Sequence, residues 1–188
     1  MTKMGKTSFF ILLLLLSQSS VAWAADAARV EKVIAELEHG ARRGMEFEVR
    51  ERDLNAFLRR QMELERASAV DEIHVTLLNG SFRSDMTVDL DQVEIEDPSL
   101  TSNLFLSLFK GRQKLRLEGK LSVRNGTGTY HTENAWLNGM PLPAAVVDSL
   151  IRILGKKQDP PFDPTRPFPM PFGIQSIRFE PGLAIIRN

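Results

Sequence analysis

Apolar and charged positions alternate strictly between Lys114 and Arg124. Leucines, a valine and one glycine occupy one face of the extended chain, and charged residues with one serine occupy the other. A period of two predicts a strand with one face in the core and one in water. Asn125-Gly126 follows, and both residue types tolerate the positive φ that a two-residue hairpin turn requires. The pattern therefore predicts a β-hairpin that turns at Asn125-Gly126.

This turn also predicts which residues of the two strands face each other. The expected pairs are Val123 with Gly128, Leu121 with Tyr130, Gly119 with Thr132 and Leu115 with Trp136. Opposed residues share a face of the sheet, so Tyr130 and Trp136 are expected on the apolar face. A register shifted by one residue would place both aromatic rings on the charged face.

An apolar helix is predicted after the hairpin, over residues 144–154. Pro141 and Pro143 end the preceding strand, and Gly155 is placed to end the helix. Apolar side chains cover well over half of the helix circumference, which is typical of a buried helix. A hairpin with an apolar inner face that leads into a buried helix predicts a sheet curled over that helix.

The remaining chain predicts three amphipathic helices, a short strand and two more hairpins. The helices are expected at 26–39, 51–66 and 97–110, and the strand at 45–49. One hairpin joins 71–78 to 81–90 through Asn79-Gly80, and the other joins 174–180 to 183–187 through Pro181-Gly182. The expected pairs are Leu77 with Phe82, Val75 with Ser84, Ile73 with Met86, Phe179 with Ala184 and Ile177 with Ile186.

Residues 158–172 contain six prolines, which exclude a helix and a central strand. We expect an extended arm or a loop at the rim of the domain. Phe162, Phe168, Met170 and Phe172 alternate with the prolines, so part of this Pro-rich arm is expected to pack on the domain.

The first 24 residues have the three parts of a secretory signal peptide. Lys3 and Lys6 precede a short apolar run, which is followed by Ala22-Trp23-Ala24. Cleavage is predicted after Ala24, with an uncleaved anchor as the alternative. The apolar run is shorter than the roughly 20 residues of a membrane span. The expected product is a single periplasmic domain of residues 25–188.

The charge balance gives no electrostatic argument for nucleic acid as a partner. Removal of Lys3 and Lys6 leaves 22 of the 24 basic residues beside 24 acidic residues. The sequence has no cysteine, so a secreted form cannot use disulfides and must be stabilised by packing.

No catalytic or metal-binding pattern is found. The three histidines, His39, His74 and His131, are isolated, and the spacings of zinc sites, nucleophile elbows and phosphate loops are missing. The acidic residues between Asp85 and Asp97 alternate with apolar residues, as on a solvated strand face. We therefore expect no cofactor, no metal and no enzymatic activity.

The apolar residues predict an interior that is either a filled core or an apolar ligand site. Periodicity alone favours the filled core, whereas Gly119, Gly128 and Ser84 on inward faces favour some empty space. The residues expected to line an apolar groove are Phe57, Phe105, Phe109, Leu115, Leu121, Tyr130, Trp136, Val147, Leu150, Leu154 and Phe179.

Three motifs, taken in order, resemble a family of bacterial envelope proteins with a TULIP-like (tubular lipid-binding) fold. RERDLNAFL at 50–58 resembles the helix that opens their domain, although Arg50 stands where a Ser or Thr cap is usual. LNGMPLP at 137–143 resembles the start of their long helix. PFGIQSI at 171–177, followed by EPGL at 180–183, resembles their C-terminal hairpin.

The resemblance implies a highly curved antiparallel sheet wrapped around a long apolar helix, with a groove for acyl chains. It also implies lipid binding or transport in envelope biogenesis rather than catalysis. The expected partners are a lipid or another apolar small molecule, and a membrane surface or an envelope protein. The alternative is a filled-core interaction module that docks an envelope protein through a sheet edge or the Pro-rich arm.

Overall fold

A computed structural model describes residues 24–40, 44–64, 70–92, 109–156, 163 and 165–188. This part of the chain contains three α-helices, two short 3₁₀ helices (Leu90–Gln92 and Pro171–Gly173) and nine strands, and every strand pairing in it is antiparallel. The helices are α1 (Ala24–Glu38), α2 (Glu51–Leu64) and α3 (Ala144–Lys156). The strands are β1 (Glu46–Arg50), β2 (Val70–Leu78), β3 (Ser81–Asp89), β4 (Arg112–Arg124), β5 (Thr127–Leu137), β6 (Met140–Pro141), β7 (Phe168–Pro169), β8 (Ser176–Glu180) and β9 (Leu183–Arg187).

The strands form two sheets. The larger has the order β2-β3-β4-β5-β6, and β7 also pairs with β5 to make six strands. The smaller has the order β1-β9-β8. The expected α+β class with a largely antiparallel sheet is confirmed. The helix expected at 97–110 lies outside the described residues except at its last two positions.

Close to its turn, each of the three hairpins has the strand register that the sequence predicts. Asn125 and Gly126 have φ of 49° and 76°, as a type I′ turn requires. Leu121 faces Tyr130 and Val123 faces Gly128 across that turn. All expected pairs of the hairpins at Asn79-Gly80 and Pro181-Gly182 are confirmed as well.

The predicted position of Trp136 is wrong because the long hairpin contains a bulge. Glu118 pairs with Asn134, but the next residue, Gly119, pairs with Thr132, so Glu133 is an extra residue in β5. One extra residue inverts the facing of every position beyond it. Leu137 therefore lies opposite Leu115, and Trp136 lies opposite Arg116 on the charged face.

The apolar face of the large sheet is covered by two separate groups of elements. α3 packs against β3, β4 and β5, where Val146, Val147 and Leu150 are buried with Leu115 and Leu137. At the other end, Val75, Leu77 and Val123 pack with α1, α2 and the small sheet. The apolar helix predicted at 144–154 is therefore observed with one buried face and one exposed face, and it covers only part of the sheet.

The outer edge of β2 is paired with side chains of α2 instead of another strand. The Val75 N–H donates to Asn55 Oδ1 and the Asn55 amide donates to the Val75 carbonyl, both at 2.7 Å. Glu51 Oε2 accepts the Leu77 N–H at 2.7 Å. The turn residue Gly182 then donates its N–H to the Leu77 carbonyl at 3.0 Å. These bonds attach both α2 and the small sheet to one strand edge.

We expect Asn55→Ala to lower the free energy of unfolding by about 2 to 4 kcal/mol, because it leaves the buried N–H and C=O of Val75 without partners. Urea unfolding followed by circular dichroism measures the change. Asn134→Ala is the matched control, because Asn134 is exposed and bonds only the Glu118 side chain among the hydrogen bonds found. Its cost should stay below about 0.5 kcal/mol. Equal losses in the two variants would contradict the role of Asn55.

Candidate apolar binding site

A cavity of about 190 Å³ lies between the apolar face of the large sheet and the small sheet. β2, β3 and β4 line one side, and β8 and β9 line another. The described residues around it are Val49, Leu54, Ile73, Val75, Leu77, Phe82, Ser84, Met86, Leu117, Leu121, Tyr130, Ile151, Met170, Pro171, Ile174, Ile177, Phe179, Ala184 and Ile186.

Strand alternation positions most of this lining. Ile73, Val75 and Leu77 are successive inward positions of β2, and their partners on β3 are Met86, Ser84 and Phe82. Because every second residue of a strand points to the same face, a single register places both sets toward the small sheet. The cavity is therefore a direct product of the hairpin at Asn79-Gly80.

Three aromatic rings meet at the cavity. The Phe82 ring lies 6.0 Å from the Tyr130 ring and 5.8 Å from the Phe179 ring, centroid to centroid. The pair with Phe179 has an edge-to-face geometry, which aromatic rings prefer. These contacts connect β3, β5 and β8 across the space between the two sheets.

Only two of the described lining residues, Ser84 and Tyr130, carry a hydroxyl group, and none carries a carboxylate, an ammonium or a guanidinium. Burial raises the pKa of the Tyr130 phenol, a hydrogen bond with Thr132 opposes this rise, and the charge of Asp148 adds to it. The cavity is thus an apolar space with two neutral polar groups.

The space expected beside two inward glycines is filled by aromatic rings. A Cβ added at Gly119 would lie 2.8 Å from Tyr130 Cε2, and one added at Gly128 would lie 2.3 Å from Phe168 Cε2. Each glycine therefore provides a place where a ring packs directly on the backbone. The prediction that Gly119 and Gly128 leave empty space is wrong, whereas Ser84 does line the cavity.

The end of the Pro-rich arm forms one wall of the cavity. Phe168 is buried and pairs with Gly128 as part of β7, and the Met170 N–H donates to the Gly126 carbonyl at 2.8 Å. Met170, Pro171 and Ile174 contribute to the lining. The expected packing of the arm on the domain is confirmed for residues 168–172, and it takes the form of a two-residue edge strand followed by a turn.

The predicted groove residues are divided among several places. Leu121, Tyr130 and Phe179 line the cavity. Phe57 of α2 is buried in the core cluster that includes α1 and the small sheet, and Val147 and Leu150 lie on the buried face of α3. Phe109 packs against the α3 cluster, and Leu115 belongs to it. Phe105 and the side chain of Leu154 lie outside the described residues. The structure thus brings three of the eleven together at the cavity.

Most of the lining was missed because the prediction favoured large aromatic residues and the α3 helix. The inward positions of β2 and β3 could have been found from their alternation, since their pairing was predicted. Met170, Pro171 and Ile174 had no comparable signal, because a proline-rich segment has no periodicity that tells which side chains face inward.

A second, open groove of about 1180 Å³ contacts the polar side of the large sheet and the end of α2. A row of paired residues crosses four strands there: His74, Asp85, Arg116 and Trp136. Arg116 Nε lies 2.6 Å from Asp85 Oδ1. Among the described residues, no group of three or more histidine or acidic side chains could hold a metal ion.

Comparison of the chain with protein-family models, curated proteins and solved structures gives no match. Within the described ranges, no helix is long and apolar enough to cross a membrane.

Gly128→Ala should displace the Phe168 ring, because the new Cβ would overlap it. We expect a loss of stability of about 1 to 3 kcal/mol and faster hydrogen exchange at the Met170 N–H, measured by NMR. Phe168→Leu removes the overlapping ring atoms, so the double variant should lose less than the sum of the single losses. Ser122→Ala, at an exposed position of β4, is the control and should change neither quantity. Additive losses would contradict direct packing of Phe168 on Gly128.

Tyr130 is the only tyrosine in the sequence, so the ultraviolet absorbance of tyrosinate reports its ionisation alone. Since burial raises its pKa in the folded protein, the midpoint should lie above the ordinary value of 10.0. The folded state then favours the neutral phenol, and this contribution to stability is complete below pH 10 and is lost as the pH rises through the folded pKa. Tyr130→Phe should reduce the loss of stability above pH 10. An ordinary midpoint in the folded protein would contradict burial of the phenol.

Proposed function

We propose that the protein is a non-enzymatic carrier that binds an apolar chain, such as part of a lipid, in the cavity between its two sheets. The observation that carries the proposal is the lining, which is apolar except for two hydroxyl groups. Apolar ligand sites in proteins have this composition. Burial of alkyl groups would supply the binding energy, at about 0.8 kcal/mol for each methylene.

The volume of the cavity limits the size of the ligand that fits in the described conformation. An engineered apolar cavity of about 150 Å³ stays dry and binds benzene, so about 190 Å³ suits a ligand segment of similar size. Pockets for larger ligands measure roughly 300–1,000 Å³. A full acyl chain therefore needs a wider cavity, and the wall formed by Met170 and Pro171 is the part that we propose to move.

We also propose that the protein is periplasmic after cleavage at Ala24 and has a role in envelope biogenesis. The signal-peptide pattern of residues 1–24 supports the location, and the three motifs that resemble TULIP-like envelope proteins support the role. The proposal also includes a sheet curved around an apolar helix, and the packing of α3 on the apolar sheet face supports this part. A membrane surface or an envelope protein would be the donor or acceptor of the lipid.

The alternative is a protein-interaction module with an essentially filled interior. The small volume of the cavity and the rings that fill the space at Gly119 and Gly128 favour it. It differs from the carrier in one measurable property, since a filled interior binds no alkyl chain.

Native mass spectrometry of the protein from its source periplasm, with solvent extraction, tests the proposal directly. A bound lipid of discrete mass supports the carrier. A series of straight-chain alcohols titrated into the delipidated protein and followed by methyl NMR gives the second test. Affinity should rise about fourfold for each methylene until the chain outgrows the cavity.

Ser84→Leu should fill the cavity, weaken alcohol binding at least tenfold and leave stability unchanged or raise it by about 1 kcal/mol. Thr87→Leu is the matched control, because Thr87 lies on the opposite face of the same strand and should leave binding unchanged. A clean apo mass together with no alcohol binding to the unmodified protein would refute the carrier and support the interaction module.

A further inference from the structure

If the cavity binds an apolar chain, as proposed above, its lining also limits the class of ligand that it accepts. None of the described residues lining the cavity carries a charge at neutral pH. A charged head group inside such a space would lose its hydration without gaining an ionic partner, which is costly for any ion. An alcohol, an ester or a hydrocarbon segment has no such cost.

The electrostatic environment is also unfavourable to an anion. Tyr130 is the one titratable group in the described lining, and its neutral form is favoured there by burial and by the negative charge of Asp148. Asp148 is an exposed residue of α3, and the lining residue Ile151 lies three positions after it, about one helical turn away. A ligand carboxylate near the phenol would experience the same repulsion as a phenolate.

Two arginines of α1 and α2 are paired with an acidic side chain. Arg29 lies 3.4 Å from Asp53, and Arg52 lies 3.1 Å from the same carboxylate. Asp53 is itself buried beside Leu54, a lining residue. These two arginines thus already have an acidic partner.

We propose that the cavity selects an uncharged alkyl chain and discriminates against the carboxylate of a free fatty acid, with Asp148 as the residue that adds to the discrimination. The cargo would then be a neutral lipid, or a neutral part of one, whose charged groups stay in water.

The test compares octanol, methyl octanoate and octanoate on the delipidated protein at neutral pH by methyl NMR. The alcohol and the ester should bind at least tenfold more tightly than octanoate. Octanoate affinity equal to or above that of octanol would overturn the inference while leaving the carrier function intact. No binding of octanol would refute the proposed function itself, so the two failures are distinguishable.

Asp148→Asn provides the residue-specific arm. It should strengthen octanoate binding roughly two- to fivefold and leave octanol binding unchanged, because only the charged ligand senses the lost repulsion. Glu36→Gln is the control, since Glu36 lies on α1 and pairs with Lys32. It should change neither affinity. Equal effects of the two variants on octanoate would overturn the role of Asp148.

Discussion

The edge of β2 is the constraint on which the rest of the structure depends. A strand edge without a neighbouring strand exposes N–H and C=O groups that must find other partners when they are buried. Here Asn55 satisfies both groups of Val75, and Glu51 accepts the Leu77 N–H. Gly182 bonds the Leu77 carbonyl from the turn of the small sheet. One strand edge therefore holds a helix and a second sheet in place.

The same bonds explain why a cavity lies between the sheets. The Glu51 N–H donates to the Gly182 carbonyl at 2.9 Å, which joins the first turn of α2 to the β8–β9 turn. This bond satisfies the Glu51 N–H, one of the N–H groups at the start of α2 that have no partner within the helix. These bonds fix the position of the small sheet relative to β2. The volume of the side chains between the two sheets then determines how much of the interior is filled. Ser84 and Ala184 are small, so space remains between them and the aromatic cluster.

The packing of rings on glycines connects the Pro-rich arm to this interior. Phe168 packs on Gly128, and the chain then turns through Phe172, a non-glycine residue with φ of 56°. A positive φ costs about 1 to 3 kcal/mol at such a residue. The Phe168 contact and the buried Ile174 hold the chain on both sides of it. The turn at Phe172 is thus held between two anchored segments of the cavity wall.

The local pattern of apolar and polar residues was sufficient to predict most of the helices and strands and much of the strand pairing. Alternation and the turn residues Asn-Gly and Pro-Gly determine which strands pair and in which register, because both are properties of adjacent residues. The same is true of α3, whose apolar arc predicts its burial. The presence of Asn55 and Glu51 on α2 was visible in the sequence, but their role was not, since a helix surface does not indicate which strand edge it will meet.

What the sequence by itself determined is therefore the three described α-helices, most of the strands and the three hairpin turns with the pairing next to them. The tertiary structure decided the rest. The extra residue Glu133 moved Trp136 to the charged face, and distant rings filled the space at Gly119 and Gly128. The cavity lining comes from strands, helices and a loop far apart in the chain. Periodicity describes one element at a time, whereas an empty space depends on the distances between elements, which are set by contacts between residues far apart in sequence.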